Sequence, residues 1–128
     1  PEVEKLEKNF AKYCGVKYSI GVKNGTDALI LALKSIDVKR GDEIITTSHT
    51  ALATIAAIIS VGAKPVIVDI ENDYYTIDYL KFKKIITSCK KKKIKPNFFF
   101  PVHYAGNILD LKEFKAKFTA FPKRTVLL

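Results

Sequence analysis

The chain has 128 residues and a formal net charge of +9. A hydrophobic content of 48% with 11% aromatics supports a packed core and excludes global disorder, and the length fits one domain or part of a larger one. The charge is local: residues 81–100 hold eight lysines and no acidic residue, whereas residues 51–80 carry one lysine against four acids, which argues against a basic surface spread over the molecule for nucleic acid or membrane.

Val3, Leu6, Phe10 and Tyr13 recur at spacings of three and four, which predicts an amphipathic helix ended by Gly15. Tyr18 to Val22 reads as a short strand. Asn24-Gly25-Thr26-Asp27 then leads into the apolar run Ala28 to Leu33, a helix with Thr26 or Asp27 as its N-cap. Lys39 to Asp42 is a turn, Glu43 to Thr47 a strand, and Ala51 to Val61 a mostly apolar, buried helix broken by Gly62 to Pro65. Val66 to Ile70 is a buried strand and Tyr79 to Ser88 a helix. The run Lys90 to Lys95 reads as a solvated loop. Asn97 to Val102 is another buried strand, and Asp110 to Phe118 a helix.

Alternating helices and near-continuous apolar strands imply an α/β fold, three-layer α/β/α with a mainly parallel sheet covered on both faces. Cys14 and Cys89 lie far apart and form no CxxC or Cys/His cluster, so neither a zinc site nor a disulfide framework is expected, and a cytoplasmic location fits. No apolar run reaches the roughly 20 residues that span a bilayer. The first residues do not read as a signal peptide, and without an initiator Met the chain is expected to be a fragment or a processed product.

Ligands of open α/β sheets bind beyond the carboxyl ends of the strands. The loop at 23–27 is such a place. Gly25 lets a ligand approach the backbone, the amides of Gly25, Thr26 and Asp27 point out of a helix N-terminus, and the Thr26 hydroxyl adds a donor, so phosphate is the natural guest. The same residues also read as an ordinary capped turn, and they form neither GxGxxG nor a P-loop. Ser48-His49-Thr50, before the helix that contains Thr54, is a second junction of this kind, in which Ser48 or Thr50 alternatively serves as a helix cap. His103 to Gly106 is a third, where the histidine reads first as structural. No Ser/His/Asp group, Cys/His group or metal-ligand spacing is present.

Taken in order, Pro1 to Gly15, Gly25 to Leu29, Lys39 to Glu43, Ser48 to Thr54, Gly62 to Asp69, Tyr75 to Asp78 and Pro101 to Gly106 resemble the sugar-nucleotide aminotransferases of the DegT/DnrJ/StrS type over roughly residues 1–115. The resemblance implies part of the large domain of a fold-type-I enzyme dependent on pyridoxal 5′-phosphate (PLP). Residues 1–118 would be a partial PLP-binding large domain and 119–128 a divergent tail. It assigns Gly25, Thr26 and Asp27 to the cofactor phosphate and Thr54 to the cofactor border. Many relatives carry an aromatic ring where this chain has Ala51, and His49 is the nearest flat side chain to take its place.

The resemblance further implies a nucleotide-linked keto-sugar substrate, an amino-acid donor, commonly glutamate, and a homodimer. The family's Schiff-base lysine lies beyond the aligned stretch, and no lysine here has its context, so no catalytic residue is assigned. The chain alone is expected to lack transaminase activity and to hold PLP weakly. Two further readings remain open: a PLP-dependent sugar dehydratase of the same fold, and a non-catalytic paralogue using the basic loop. Nucleic acid is disfavoured, because the lysines stand without interleaved aromatics or base-reading arginines.

Overall fold

The computed structural model describes residues 1–91, 96–117 and 124–125. Its elements are α1 (Glu2–Cys14), α2 (Gly25–Ser35), β1 (Glu43–Thr47), α3 (Leu52–Ser60), β2 (Lys64–Val68), α4 (Tyr79–Lys91), β3 (Phe98–Phe100), a 3-10 turn (Tyr104–Gly106), α5 (Leu111–Ala116) and β4 (Arg124–Thr125). The strands form one parallel sheet in the order β2-β1-β3-β4. The α/β architecture with a parallel sheet is as the apolar strands imply. β4 lies within the stretch read above as a divergent tail and extends the sheet.

Side-chain alternation along the strands builds two cores, one on each face. Ile44 of β1 with Phe98 and Phe100 of β3 meets Leu33 of α2 and Ala57 and Ile58 of α3. Ile45 of β1, Val68 of β2 and Phe99 of β3 meet Phe82 and Ile86 of α4 and Phe114 of α5. In this second core Phe82 sits edge-on to Phe99 and Phe114, with ring centroids 5.4 and 4.9 Å away, while Phe99 and Phe114 stack at 5.7 Å, the offset arrangements that ring quadrupoles favour. Phe98–Phe100 is apolar at every position because both faces of β3 are covered. The one polar side chain in the middle of β1, Thr46, donates its hydroxyl to the Phe100 carbonyl at 2.8 Å, so its burial leaves no unmet donor.

The ends of α2 and α3 are tied together. After α2 the chain turns through Gly41, whose amide donates to the Gly62 carbonyl at 2.8 Å just past α3, and the Lys64 amide donates to Asp42 at 2.7 Å. Gly62 has φ 80°, and a Cβ there would press on Arg40 at 3.2 Å, so both the backbone and the close approach call for glycine. The two helices pack side by side with their C-termini joined below the sheet. Their N-termini therefore emerge together at its carboxyl edge.

Several expectations need correction. α3 is not buried throughout, since Leu52 and Ile59 stay exposed while Thr54, Ala57 and Ile58 are buried, and β2, Lys64–Val68 at the sheet edge, buries only Val68 because no strand pairs beyond it among the described residues. Tyr18 to Val22 is not a strand: it is irregular and largely exposed, held to α1 by the Gly21 amide on Glu7 Oε1 at 2.6 Å, and among the described residues no strand pairs with it. A strand is defined by its ladder, and period and propensity cannot supply the neighbour. The cap of α2 is Asn24, not Thr26 or Asp27, and α2 begins at Gly25. Neither Ser48 nor Thr50 caps α3, whose N-cap is Ala51 without a side-chain bond. The apolar stripe of α1 forms as expected, yet among its residues only Ala11 is buried. The Lys90 to Lys95 run lies outside the described residues, apart from the backbone of Lys90 and Lys91 in α4.

Candidate functional site

The loop before α2 is built by Asn24. Its backbone is extended (φ −160°, ψ 174°) and its side-chain oxygen accepts from the Asp27 amide at 2.9 Å. This is the usual division of labour at an N-cap, and an Asn one residue ahead of a Gly was the signal for it in the sequence. One consequence is that Asp27, named above as a backbone donor, has its amide already engaged. The amides of Gly25 and Thr26 have by position no intrahelical acceptor, and a Cβ placed on Gly25 would meet nothing within 4 Å. Two amides and the positive end of an eleven-residue helix thus meet at Gly25, where the space is open, with the Thr26 side chain next in sequence.

Beside it stands the start of α3. Thr54 is buried in its first turn and its hydroxyl shares a 2.7 Å hydrogen bond with the hydroxyl of Thr50. His49 is exposed in the loop between β1 and α3, where its carbonyl accepts from the Thr47 hydroxyl at 3.1 Å. The same loop is pinned to β2: the Ser48 amide donates to Val68 at 2.8 Å, and its hydroxyl donates to Asp69 Oδ1 at 3.0 Å. Asp69 also receives Lys81 Nζ from α4 at 2.7 Å. The Lys81 bond, then the Ile70 amide and the Ser48 hydroxyl, hold the Asp69 carboxyl below its ordinary range, and Asp69 in turn raises Lys81. Both side chains are about half exposed, so the pair positions the loop more than it stabilises the fold.

Two more loops close the carboxyl edge. In the loop after β2, Glu71 accepts from the amides of Asp73, Tyr74 and Thr76 at 2.7, 2.8 and 3.1 Å. Partial burial pushes its carboxyl up, and these amide bonds outweigh that and leave it lowered. In the loop after β3, His103 Nδ1 accepts from the Leu109 amide at 3.1 Å, which places this ring's proton on Nε2 and gives His103 a structural task. Asn107 Nδ2 donates to the Tyr74 carbonyl at 2.9 Å and joins the two loops. Glu71, Asn107 and Asp69 were not singled out in the sequence, because single polar residues in loops carry no periodic signal. Surface hollows of about 460 Å³ on α4 and about 600 Å³ around Arg40, Gly62 and Lys64 contain no residue of these loops. Among the described residues no group of three or more His, Cys, Asp and Glu could hold a metal, and no helix is long and apolar enough to cross a membrane.

The chain has counterparts in known proteins. The sequence pattern of the DegT/DnrJ/EryC1/StrS aminotransferase family matches residues 1–119. The chain belongs to that family. Within it, the dTDP-3-amino-3,6-dideoxy-alpha-D-galactopyranose transaminase of Aneurinibacillus thermoaerophilus is 43% identical over 111 residues, covering 87% of this chain and 29% of that protein. The GDP-perosamine synthase of Caulobacter vibrioides is 38% identical over 85% of this chain and 28% of its own length.

Solved structures agree. The S. venezuelae DesV structure superposes with a TM-score of 0.76 at 38% identity, over 91% of this chain and 31% of that one. Ntda from Bacillus subtilis, solved with bound cofactor PMP, superposes with a TM-score of 0.83 at 28% identity, over 99% of this chain and 28% of that one. This member of the aminotransferase family therefore spans under a third of the length of the relatives it matches, and its fold is that part of theirs.

Proposed function

We propose that this chain is the phosphate-binding portion of a PLP-dependent aminotransferase acting on a nucleotide-linked keto-sugar with an amino-acid donor. The observation that carries the reading is the α2 start: two amides without intrahelical acceptors, a threonine hydroxyl and open space at Gly25, in a member of this family. That donor set fits a phosphate monoester, which takes several hydrogen bonds and a helix dipole at once.

When bound, the cofactor supplies an electron sink for amino-group transfer. The residues of this chain do the holding. The Gly25 and Thr26 amides and the Thr26 hydroxyl would hold the phosphate, while Asn24 keeps the helix start in shape by engaging Asp27. Thr54, braced by Thr50, would border the cofactor, and the His49 ring would serve as its flat neighbour. Ala51 offers only a methyl group there. Asp69, through Ser48, keeps the His49 loop against the sheet. The lysine that joins the cofactor is assigned to none of the described residues. The protein works in the cytoplasm as a homodimer.

The test is a titration of the full-length protein with PLP and with pyridoxal, which lacks the phosphate. Thr26→Val is expected to weaken PLP about tenfold, the worth of one good charge-assisted hydrogen bond, and to leave pyridoxal unchanged. Equal effects on both ligands, or no change in the cofactor absorbance on adding PLP to the unaltered protein, overturns the assignment.

A further inference from the structure

Three aromatic rings meet at the carboxyl edge of the sheet, each carried by the loop after a different strand. His49 follows β1, Tyr75 follows β2 and Tyr104 follows β3. Because β1 lies between β2 and β3, His49 stands in the middle. Its ring centroid is 4.3 Å from Tyr104 and 5.9 Å from Tyr75, and the two tyrosines are 6.1 Å apart. The loops that present the tyrosines are fixed from beneath. Glu71 gathers the amides of residues 73, 74 and 76 around Tyr75, and Asn107 ties the Tyr104 loop to the Tyr74 carbonyl. Tyr75 and Ala105 hold left-handed backbone, with φ 59° and 50°. Non-glycine residues keep that conformation only where the surroundings over-determine it.

An exposed imidazole on a loop would sample several rotamers, and each would offer a ligand a different surface. Contact with Tyr104, and with Tyr75 next to it, restricts that freedom. We propose that Tyr104, assisted by Tyr75, is a positioning residue that holds the His49 ring as the flat wall of the cofactor site, in place of an aromatic side chain at position 51. The proposal rests on the reading of His49 given above and names what makes that reading work. Tyr104 acts through His49, and its ring matters more than its hydroxyl.

The experiment uses Tyr104→Leu, Tyr104→Phe, His49→Ala and the His49→Ala/Tyr104→Leu double variant of the full-length protein. Ring-proton NMR reports His49, with its signals assigned by their loss in His49→Ala, and PLP titration reports the site. Tyr104→Leu is expected to abolish the ring-current shift of the His49 protons and to weaken PLP roughly three- to tenfold, the size of one ring contact. Tyr104→Phe should keep both, and the double variant should bind PLP no worse than His49→Ala, since the two act as a unit. An unmoved His49 signal in Tyr104→Leu, or additive losses in the double variant, overturns the proposal. Unchanged PLP affinity in His49→Ala removes the His49 assignment and this proposal together. The phosphate reading then still stands on the Thr26 variant, which this outcome does not touch.

Discussion

Residues 1–22 and the sheet with its helices carry equally clear apolar patterns and meet different fates. Phe99 is fully buried, packed against Phe82 and Phe114. Phe10, on an equally regular helical stripe, is 52% exposed, and Tyr13 beside it is 87% exposed. Periodicity decides which side of an element is apolar. Burial needs a second surface at the right distance, and β1, β3, α4 and α5 provide one another with that surface. The difference teaches that the N-terminal stripe is local order without a local core.

The sharpest way to break this comparison is to truncate one ring in each region. Phe99→Ala should cost about 3–5 kcal/mol, the usual price of emptying a well-packed aromatic site, and urea denaturation followed by far-UV circular dichroism measures it. Phe10→Ala should stay within about 0.5 kcal/mol. Equal losses would mean that α1 packs in solution against something that matters for stability.

Asn24→Ala is the next largest effect. Removing a capping side chain costs about 1 kcal/mol, and here it also frees the Asp27 amide, so PLP affinity should change along with the urea midpoint. A loss of stability with unaltered PLP affinity would separate the cap from the phosphate site.

The acid response is smaller. Asp69 and Glu71 both have lowered carboxyl values. Groups depressed in the folded state contribute above their unfolded value of about 4 and lose that contribution as pH falls through the folded value. Between pH 5 and 2 the loops carrying His49 and Tyr75 should therefore loosen before the sheet does. The near-UV tyrosine signal, free of tryptophan in this chain, reports it against far-UV ellipticity. Asp69→Asn should remove part of this early step and leave the final unfolding in place. Coincident transitions would show that these loops are no softer than the core.

Most of the fold was legible in the residues. All five helices lie at or within a few residues of the expected segments, and β1, β2 and β3 lie within two residues or so of the apolar runs, although β2 buries only Val68, because these signals are set by neighbours along the chain. The start of α2 near Gly25 was legible for the same reason. Its cap was misplaced by two residues or more, since Asn, Thr and Asp are all good caps and only backbone angles choose among them. The Tyr18 to Val22 strand failed because pairing is not a local property.

By itself, then, the sequence determined which elements form, which sides are apolar, and that a glycine-threonine turn opens a helix. Its motif order carried the family, which residues 1–119 match. The tertiary structure alone decided that α2 and α3 open on the same edge, that Asp69 and Lys81 hold the His49 loop, and that His49, Tyr75 and Tyr104 share one wall. Those residues stand between 12 and 55 positions apart. Contacts over such separations depend on strand order and register, which no stretch of the chain encodes by its own pattern.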